Sequence, residues 1–238
     1  MELTNDVIDN ARSKFDFFPT PSEHAEYIFN SFKHKRKYNV LDICCGLGCL
    51  SKPWYDDNHN VTLVELNEDF IPYLQEYFPR ANLLHCDFLK SNINSDYDVI
   101  LCNPPFNTKD IPRIYMYFLV KILSMMNCNT RVFFIAPCTI VTHSIHIDQP
   151  LDYYTRVTQP SDIDYHYIYQ KYGFIDISTT DLRFNKRIVK DLIAMEIVDN
   201  DFFSQDNIIQ PYFYFKFLRN ICNFAKTSVR CILLLVER

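Results

Sequence analysis

The run Asp98-Val99-Ile100-Leu101-Cys102-Asn103-Pro104-Pro105-Phe106 ends an apolar stretch with an amide, two prolines and an aromatic ring. Those types supply hydrogen-bond acceptors on a stiffened turn, with a flat face beside them. Three other stretches end apolar runs in the same manner. Leu41-Asp42-Ile43-Cys44-Cys45-Gly46-Leu47-Gly48 offers a carboxylate and two glycines, which let backbone amides approach a ligand closely. Glu65 closes Val61-Thr62-Leu63-Val64, where a carboxylate can accept both hydroxyls of a ribose. Asp87-Phe88 follows Leu83-Leu84-His85-Cys86; the acid can accept from an adenine amino group while the ring packs on the base. Each has a plainer explanation when taken alone. Two glycines make any tight turn, Glu65 can cap the next helix, and Asn-Pro-Pro can merely end a strand. The glycine spacing is not G-x-G-x-x-G, so a dinucleotide site has little support.

Four such ends in one chain require elements that bring them together. Strands are expected at 38–43, 61–65, 82–85, 97–102 and 131–136. Helical patterns fall between them at 23–33, 67–78 (with Pro72 in its first turn) and 111–126, after a short opening helix. This alternation predicts an α/β fold, a mostly parallel sheet with right-handed crossovers and helices on both faces. In such sheets ligands sit at the carboxyl ends of the strands, near the point where strand order reverses. Beyond Pro137 the rhythm breaks. Residues 142–162 read as a long substrate loop, 164–172 as a helix, 174–180 and 191–198 as strands, 199–207 as an acidic connector, and 230–237 as a last strand-like segment.

Composition narrows the class. With 48% hydrophobic and 22% charged residues, the 238-residue chain can bury a full core, as one domain with a small appendage. A net charge of −5 counts against a dedicated nucleic-acid binder, although basic runs occur at 33–37 and 183–190. Nine cysteines, without a C-x-x-C pair or histidines at zinc-finger spacing, read as reduced thiols rather than a disulfide framework or metal site. No charged-then-apolar leader opens the chain, and its apolar runs, Cys231–Val236 among them, are too short for a bilayer. The expectation is an intracellular, cytoplasmic protein, with a residue usage suggesting an AT-rich, viral or parasitic genome.

In this order the motifs resemble those of class I S-adenosylmethionine-dependent methyltransferases. Asn103-Pro104-Pro105-Phe106 is similar to the signature of their amino-methylating, N6-adenine-specific branch, as in phage and viral DNA adenine methylases. The resemblance covers about residues 15–137 and implies a Rossmann-like fold with a seven-stranded sheet. It further implies a lead-in at 1–37, a catalytic domain at 38–198, and a C-terminal extension at 199–238 packing on or beside that domain. S-adenosylmethionine is the implied cofactor. Phe18-Pro19-Thr20-Pro21 would cover its methionine end, and Asp42, Cys44, Gly46 and Gly48 would line the methionine and sugar. Glu65 and Leu66 would face the ribose, Asp87 and Phe88 the adenine, and Asn103 would touch cofactor and target alike. Cys44 and Cys45 depart from the commoner glycine-rich turn.

By the same resemblance, Asn103, Pro104, Pro105 and Phe106 are the catalytic set. An amide oxygen and the Pro104 carbonyl would accept the two N–H groups of a target amine, favouring a pyramidal nitrogen with its lone pair available. A base stacked on Phe106 would gain ~1–3 kcal/mol, against the few kcal/mol needed to flip it from a duplex.

The implied substrate is the N6 amine of adenine in nucleic acid, with DNA slightly favoured over RNA. Alternatives are an rRNA adenine methyltransferase, a protein glutamine N5-methyltransferase, and a non-catalytic partner subunit. Sequence recognition would fall to the 142–162 loop, the last forty residues, or a protein partner. Secondary candidates are Lys109, Arg113, Arg183, Lys186, Arg187 and Lys190 for phosphate contact, and Tyr153, Tyr154, Tyr165, Tyr167 and Tyr169 for stacking. His143, His146 and Asp148 lack a fourth ligand, so no metal is expected. Tyr212 to Phe215 read as core or partner interface.

Overall fold

Strands buried on both faces read as unbroken apolar runs, and the runs seen in the sequence form the strands of a computed structural model. It describes residues 4–32, 36–137, 176–178, 186–205, 214–221 and 231–237. The chain divides into two compact units, Met1–Phe134 and Ile135–Arg238.

The first unit opens with α1 (Asn5–Phe15) and α2 (Ser22–Asn30), then alternates β1 (Asn39–Ile43), α3 (Lys52–Asp56), β2 (Asn60–Glu65), α4 (Ile71–Tyr77), β3 (Asn82–His85), β4 (Val99–Cys102) and α5 (Tyr115–Met125), and ends within β5 (Arg131–Pro137) at Phe134. These strands lie in the order β3-β2-β1-β4-β5, every pairing parallel. The chain steps outward from β1 to β3, then returns to the other side of β1 for β4. The reversal therefore falls between β1 and β4, where ligands of open α/β sheets bind. Val40, Leu41, Ile43, Leu63, Val99, Leu101, Phe134 and Ile135 form the strand core. Trp54 of α3 is packed by the edges of Phe29 and Phe32 at 5.3 and 5.4 Å, contacts that add roughly 0.5–1.5 kcal/mol each beyond burial.

Several boundaries differ from expectation for local reasons. The pattern at 67–78 splits into a 3-10 turn, Glu68–Phe70, and α4, with Pro72 in the first turn. The pattern at 111–126 starts only at Tyr115, because Pro112 precedes Arg113, whose φ of 58° is left-handed and stops a helix.

The second unit contains β6 (Asp176–Ser178), α6 (Lys186–Ala194), β7 (Tyr214–Ile221) and β8 (Cys231–Glu237), with β7 antiparallel to both β6 and β8. The strand expected at 191–198 is instead the end of α6 and the turn after it. Val189 and Leu192 are buried while Lys186, Arg187 and Lys190 are exposed, a helical period that begins inside the basic run. The segment at 214–221, within the aromatic tail, is a strand. The described strands number eight, not seven. The 142–162 loop, the 164–172 helix, His143, His146, Asp148, Arg183, Tyr212, Phe213 and the candidate stacking tyrosines lie outside the described residues.

Candidate active site

Asp42, Glu65 and Asn103 stand at the carboxyl ends of β1, β2 and β4, which lie side by side with β1 in the middle. Two strand spacings separate the outer pair, about 10 Å. The turn after β1 is held open by backbone geometry. Cys44, Gly46 and Gly48 all have left-handed φ, at 60°, 56° and 73°. A Cβ on Gly46 would lie 2.5 Å from the Phe17 ring, and one on Gly48 would lie 2.5 Å from the Phe78 ring. Both glycines are thus required by neighbours as well as by φ.

Glu65 closes this turn. One of its carboxylate oxygens accepts from the Gly46 N–H and the other from the Asn67 N–H, each at 2.7 Å. Burial raises its pKa while these amides pull it down. Two backbone bonds leave lone pairs on both oxygens, since a carboxylate offers about four acceptor sites.

Asp42 is wholly buried. One oxygen accepts from the Ser51 hydroxyl, and the other has no partner among the described residues. Burial drives its pKa from 3.8 to about 7; the Ser51 bond opposes the rise and the charge of Glu65 adds to it. The Asn67 side-chain N–H group is likewise buried without an acceptor. Buried polar atoms are satisfied almost everywhere in proteins, so such a pair at one rim suits a bound polar ligand. Leu66, beside Glu65, is 49% exposed and presents an apolar face at the same rim. Burial pushes the thiols of Cys44, Cys45 and Cys102 well above their usual range, which keeps them protonated.

The tetrapeptide turn is gripped from the lead-in. The Asn103 side-chain NH2 donates to the Phe18 carbonyl at 3.2 Å and to the Thr20 hydroxyl oxygen at 3.1 Å. A carbonyl can only accept, so the Phe18 contact fixes which end of the amide is nitrogen. The Asn103 oxygen is thereby the end left for an incoming donor. Pro104 is buried; Pro105 and Phe106 are half-buried, and the Phe106 ring meets Tyr115 edge-on at 6.2 Å. Thr20 is buried, Pro21 half-buried and Pro19 exposed.

After β3, Asp87 caps a 3-10 turn over Phe88–Lys90, accepting from the Leu89 N–H at 3.0 Å. Phe88 is 3% exposed and stacked on Phe118 at 5.7 Å. Its ring is thus engaged in the core, which leaves the Asp87 carboxylate as the more accessible group of the pair. Lys121 of α5 donates from one ammonium to the carbonyls of Phe88, Leu89 and Ser91, at 2.6, 3.0 and 2.6 Å. Sequence reasoning passed over Lys121, though a lone cation in the apolar run Tyr-Met-Tyr-Phe-Leu-Val-Lys-Ile-Leu was a visible signal. It also passed over Ser51, Asn67 and Asp16, whose partners are set by tertiary contact. Of the candidate phosphate contacts, Lys109 is exposed, and the Arg113 N–H donates to the Asn107 side chain at 3.0 Å. Among the described residues no group of three His, Cys, Asp or Glu could hold a metal, and no helix is long and apolar enough to cross a membrane.

A family model described as methyltransferase small domain matches residues 23–159, more than half of the chain. The chain is 39% identical over 77 residues to ribosomal RNA small subunit methyltransferase A of Mycoplasma mobile, covering 31% of this chain and 30% of that protein. It is 26% identical over 149 residues to the type II methyltransferase M.AccI of Acinetobacter calcoaceticus, covering 52% and 27%. It is 33% identical over 79 residues to release factor glutamine methyltransferase of Chlamydia trachomatis, covering 31% and 27%. The matched segments span less than a third of each relative's length.

Proposed function

We propose that this chain, which belongs to the methyltransferase small domain family, methylates the exocyclic N6 amine of adenine in nucleic acid. Its methyl donor is S-adenosylmethionine. The residues at the rim fit that group. Asp42 has a buried oxygen in need of a donor, and with Cys44, Gly46 and Gly48 it would line the methionine and sugar. Glu65 would use its remaining lone pairs on the ribose hydroxyls, with Leu66 beside it, and Asp87 would accept from the adenine amine. Pro19, Thr20 and Pro21 would cover the methionine end.

When bound, the cofactor supplies an electrophilic methyl group on a sulfonium. Asn103 and the Pro104 carbonyl would accept the two N–H bonds of the target amine, turning its lone pair out of the ring and toward that methyl. Pro105 contributes by lacking an N–H that could compete for the acceptors. Phe106 would carry the flipped base by stacking. No general base is needed, because the methylated amine loses its proton to solvent. Positioning and fixed dipoles therefore supply the catalysis. The single observation that carries methylation of an amino group is the commitment of the Asn103 NH2 to Phe18 and Thr20, which reserves the oxygen for an N–H donor; Phe106 in last place favours adenine as its bearer.

The glutamine methyltransferase relative favours a second reading, methylation of a protein side-chain amide, whose NH2 would use the same two acceptors. By the resemblance of motifs, that branch typically ends the tetrapeptide in Tyr, whereas this chain has Phe106. Incubation with labelled cofactor and separate DNA, RNA and protein pools, followed by digestion and mass spectrometry, discriminates the two. N6-methyladenine in a nucleic acid is the expected product; label confined to glutamine overturns the adenine reading. Asn103→Ala should abolish transfer while calorimetry still detects cofactor binding, and undiminished turnover would remove Asn103 from the catalytic set.

A further inference from the structure

The described residues place Asp16, which no motif singled out, against the far end of the Asn103–Phe106 turn. It ends α1 with a left-handed φ of 54°. One carboxylate oxygen accepts from the Phe106 N–H at 2.9 Å and from the Asn107 N–H at 3.3 Å. Pro104 and Pro105 have no N–H, so these are the first two donors after the prolines. Without Asp16 both would lose this acceptor, and the backbone that aims the Phe106 ring would be free to turn.

The same short segment holds three more points. Phe17 packs against Gly46, where a Cβ would come within 2.5 Å of its ring, and meets Phe70 edge-on at 4.9 Å. The Phe18 carbonyl and the Thr20 hydroxyl take the Asn103 amide. Residues 16–20 thus clamp the tetrapeptide at both ends and touch the glycine turn between. The acceptor amide and the stacking ring need a fixed mutual geometry if an amine is to meet a methyl group in line.

We propose that Asp16 is a positioning residue for methyl transfer, acting through the Phe106 and Asn107 amides to set the ring on which the acceptor rests. This rests on the methyl-transfer reading above and adds to it the residue that orients the acceptor. The choice of variants follows from the backbone. Glycine adopts a φ of 54° without strain, so Asp16→Gly removes the carboxylate while favouring the observed conformation. Asparagine also tolerates that region and retains an oxygen that can accept both amides.

Steady-state kinetics on whichever acceptor the wild type labels, with cofactor affinity by calorimetry, provides the test. D16G should lower kcat/KM by about tenfold or more, as expected for losing charge-assisted bonds to two amides, with cofactor affinity within about twofold of the wild type. D16N should recover most of that loss. In a Phe106→Ala background, D16G should cost less than about twofold, because the group it orients is gone. Wild-type kcat/KM in D16G overturns the proposal. So do a parallel loss of cofactor affinity and a full additional loss in the Phe106→Ala background. Should the wild type label only protein, the adenine reading fails, yet the D16G, D16N and Phe106→Ala comparison on that acceptor still decides the role of Asp16.

Discussion

Asp42 is the residue whose chemistry depends most on its surroundings. A carboxyl with a folded-state pKa near 7 and an unfolded value of 3.8 binds its proton more tightly in the folded protein. Stability is therefore highest below pH 4, falls as pH rises from about 4 to 7, and is flat above that, as far as this group decides. The span corresponds to a few kcal/mol, on the order of one pKa unit per 1.4 kcal/mol. Urea denaturation of the cofactor-free protein should show the wild type losing stability relative to Asp42→Asn between pH 5 and pH 7.5. Parallel pH profiles for the two proteins would mean that Asp42 is already ionised at the lower pH. Among the described residues one Asp42 oxygen has no partner, and an ionised carboxylate there would attract a cationic ligand more strongly than a protonated one.

At the level of elements, the strand order does what no single residue can. The reversal between β1 and β4 puts the glycine turn next to the tetrapeptide, and β2 brings Glu65 back to clamp that turn. The segment after β3 depends on α5. Lys121 spends all three ammonium protons on the carbonyls of residues 88, 89 and 91, and burial lowers its pKa. Lys121→Met keeps the apolar stem and removes the donors, leaving backbone carbonyls without a partner at roughly 1–3 kcal/mol of destabilisation. The expected result is a lower urea midpoint together with weaker cofactor binding, because Asp87, proposed above to accept from the cofactor's adenine, lies in that segment. A variant as stable as the wild type would show that the segment holds itself. The parallel strands were legible because short apolar runs alternate there with longer helical patterns, and β1, β2 and β4 are buried along nearly their whole length. Helix α6 was not, since Ile188, Val189, Leu192 and Ile193 satisfy a helical period only when the basic residues before them are included.

For the molecule as a whole, every residue assigned to the cofactor or to the tetrapeptide lies in the first unit, Met1–Phe134. A ligand that binds only the folded state stabilises it by about 2.7 kcal/mol at a hundredfold excess over Kd. The protection it confers concentrates where local opening would break its contacts. Hydrogen exchange with and without S-adenosylmethionine should therefore slow around residues 42–48, 65–67 and 87–89, with α6 and β8 changing little. Protection centred on the second unit would move the site elsewhere. The chain's net charge of −5 bears on the same scale. Nonspecific attraction to a polyanion is weak for such a surface, so selection of a nucleic acid would fall to local contacts.

The sequence alone determined the features that depend on near neighbours: the parallel α/β rhythm, the glycine turn after the first strand, the stiff tetrapeptide and the carboxylates ending successive strands. Apolar periodicity, missing N–H groups and turn geometry act within a few residues and can be read in order. Tertiary structure decided the partners. The direction of the Asn103 amide, the grip of Asp16 on amides ninety positions away, the unpaired oxygen of Asp42 and the core stacking of Phe88 all arise after strand order brings distant segments together. A hydrogen bond records distance and angle, and neither is written in the spacing of residues along a chain.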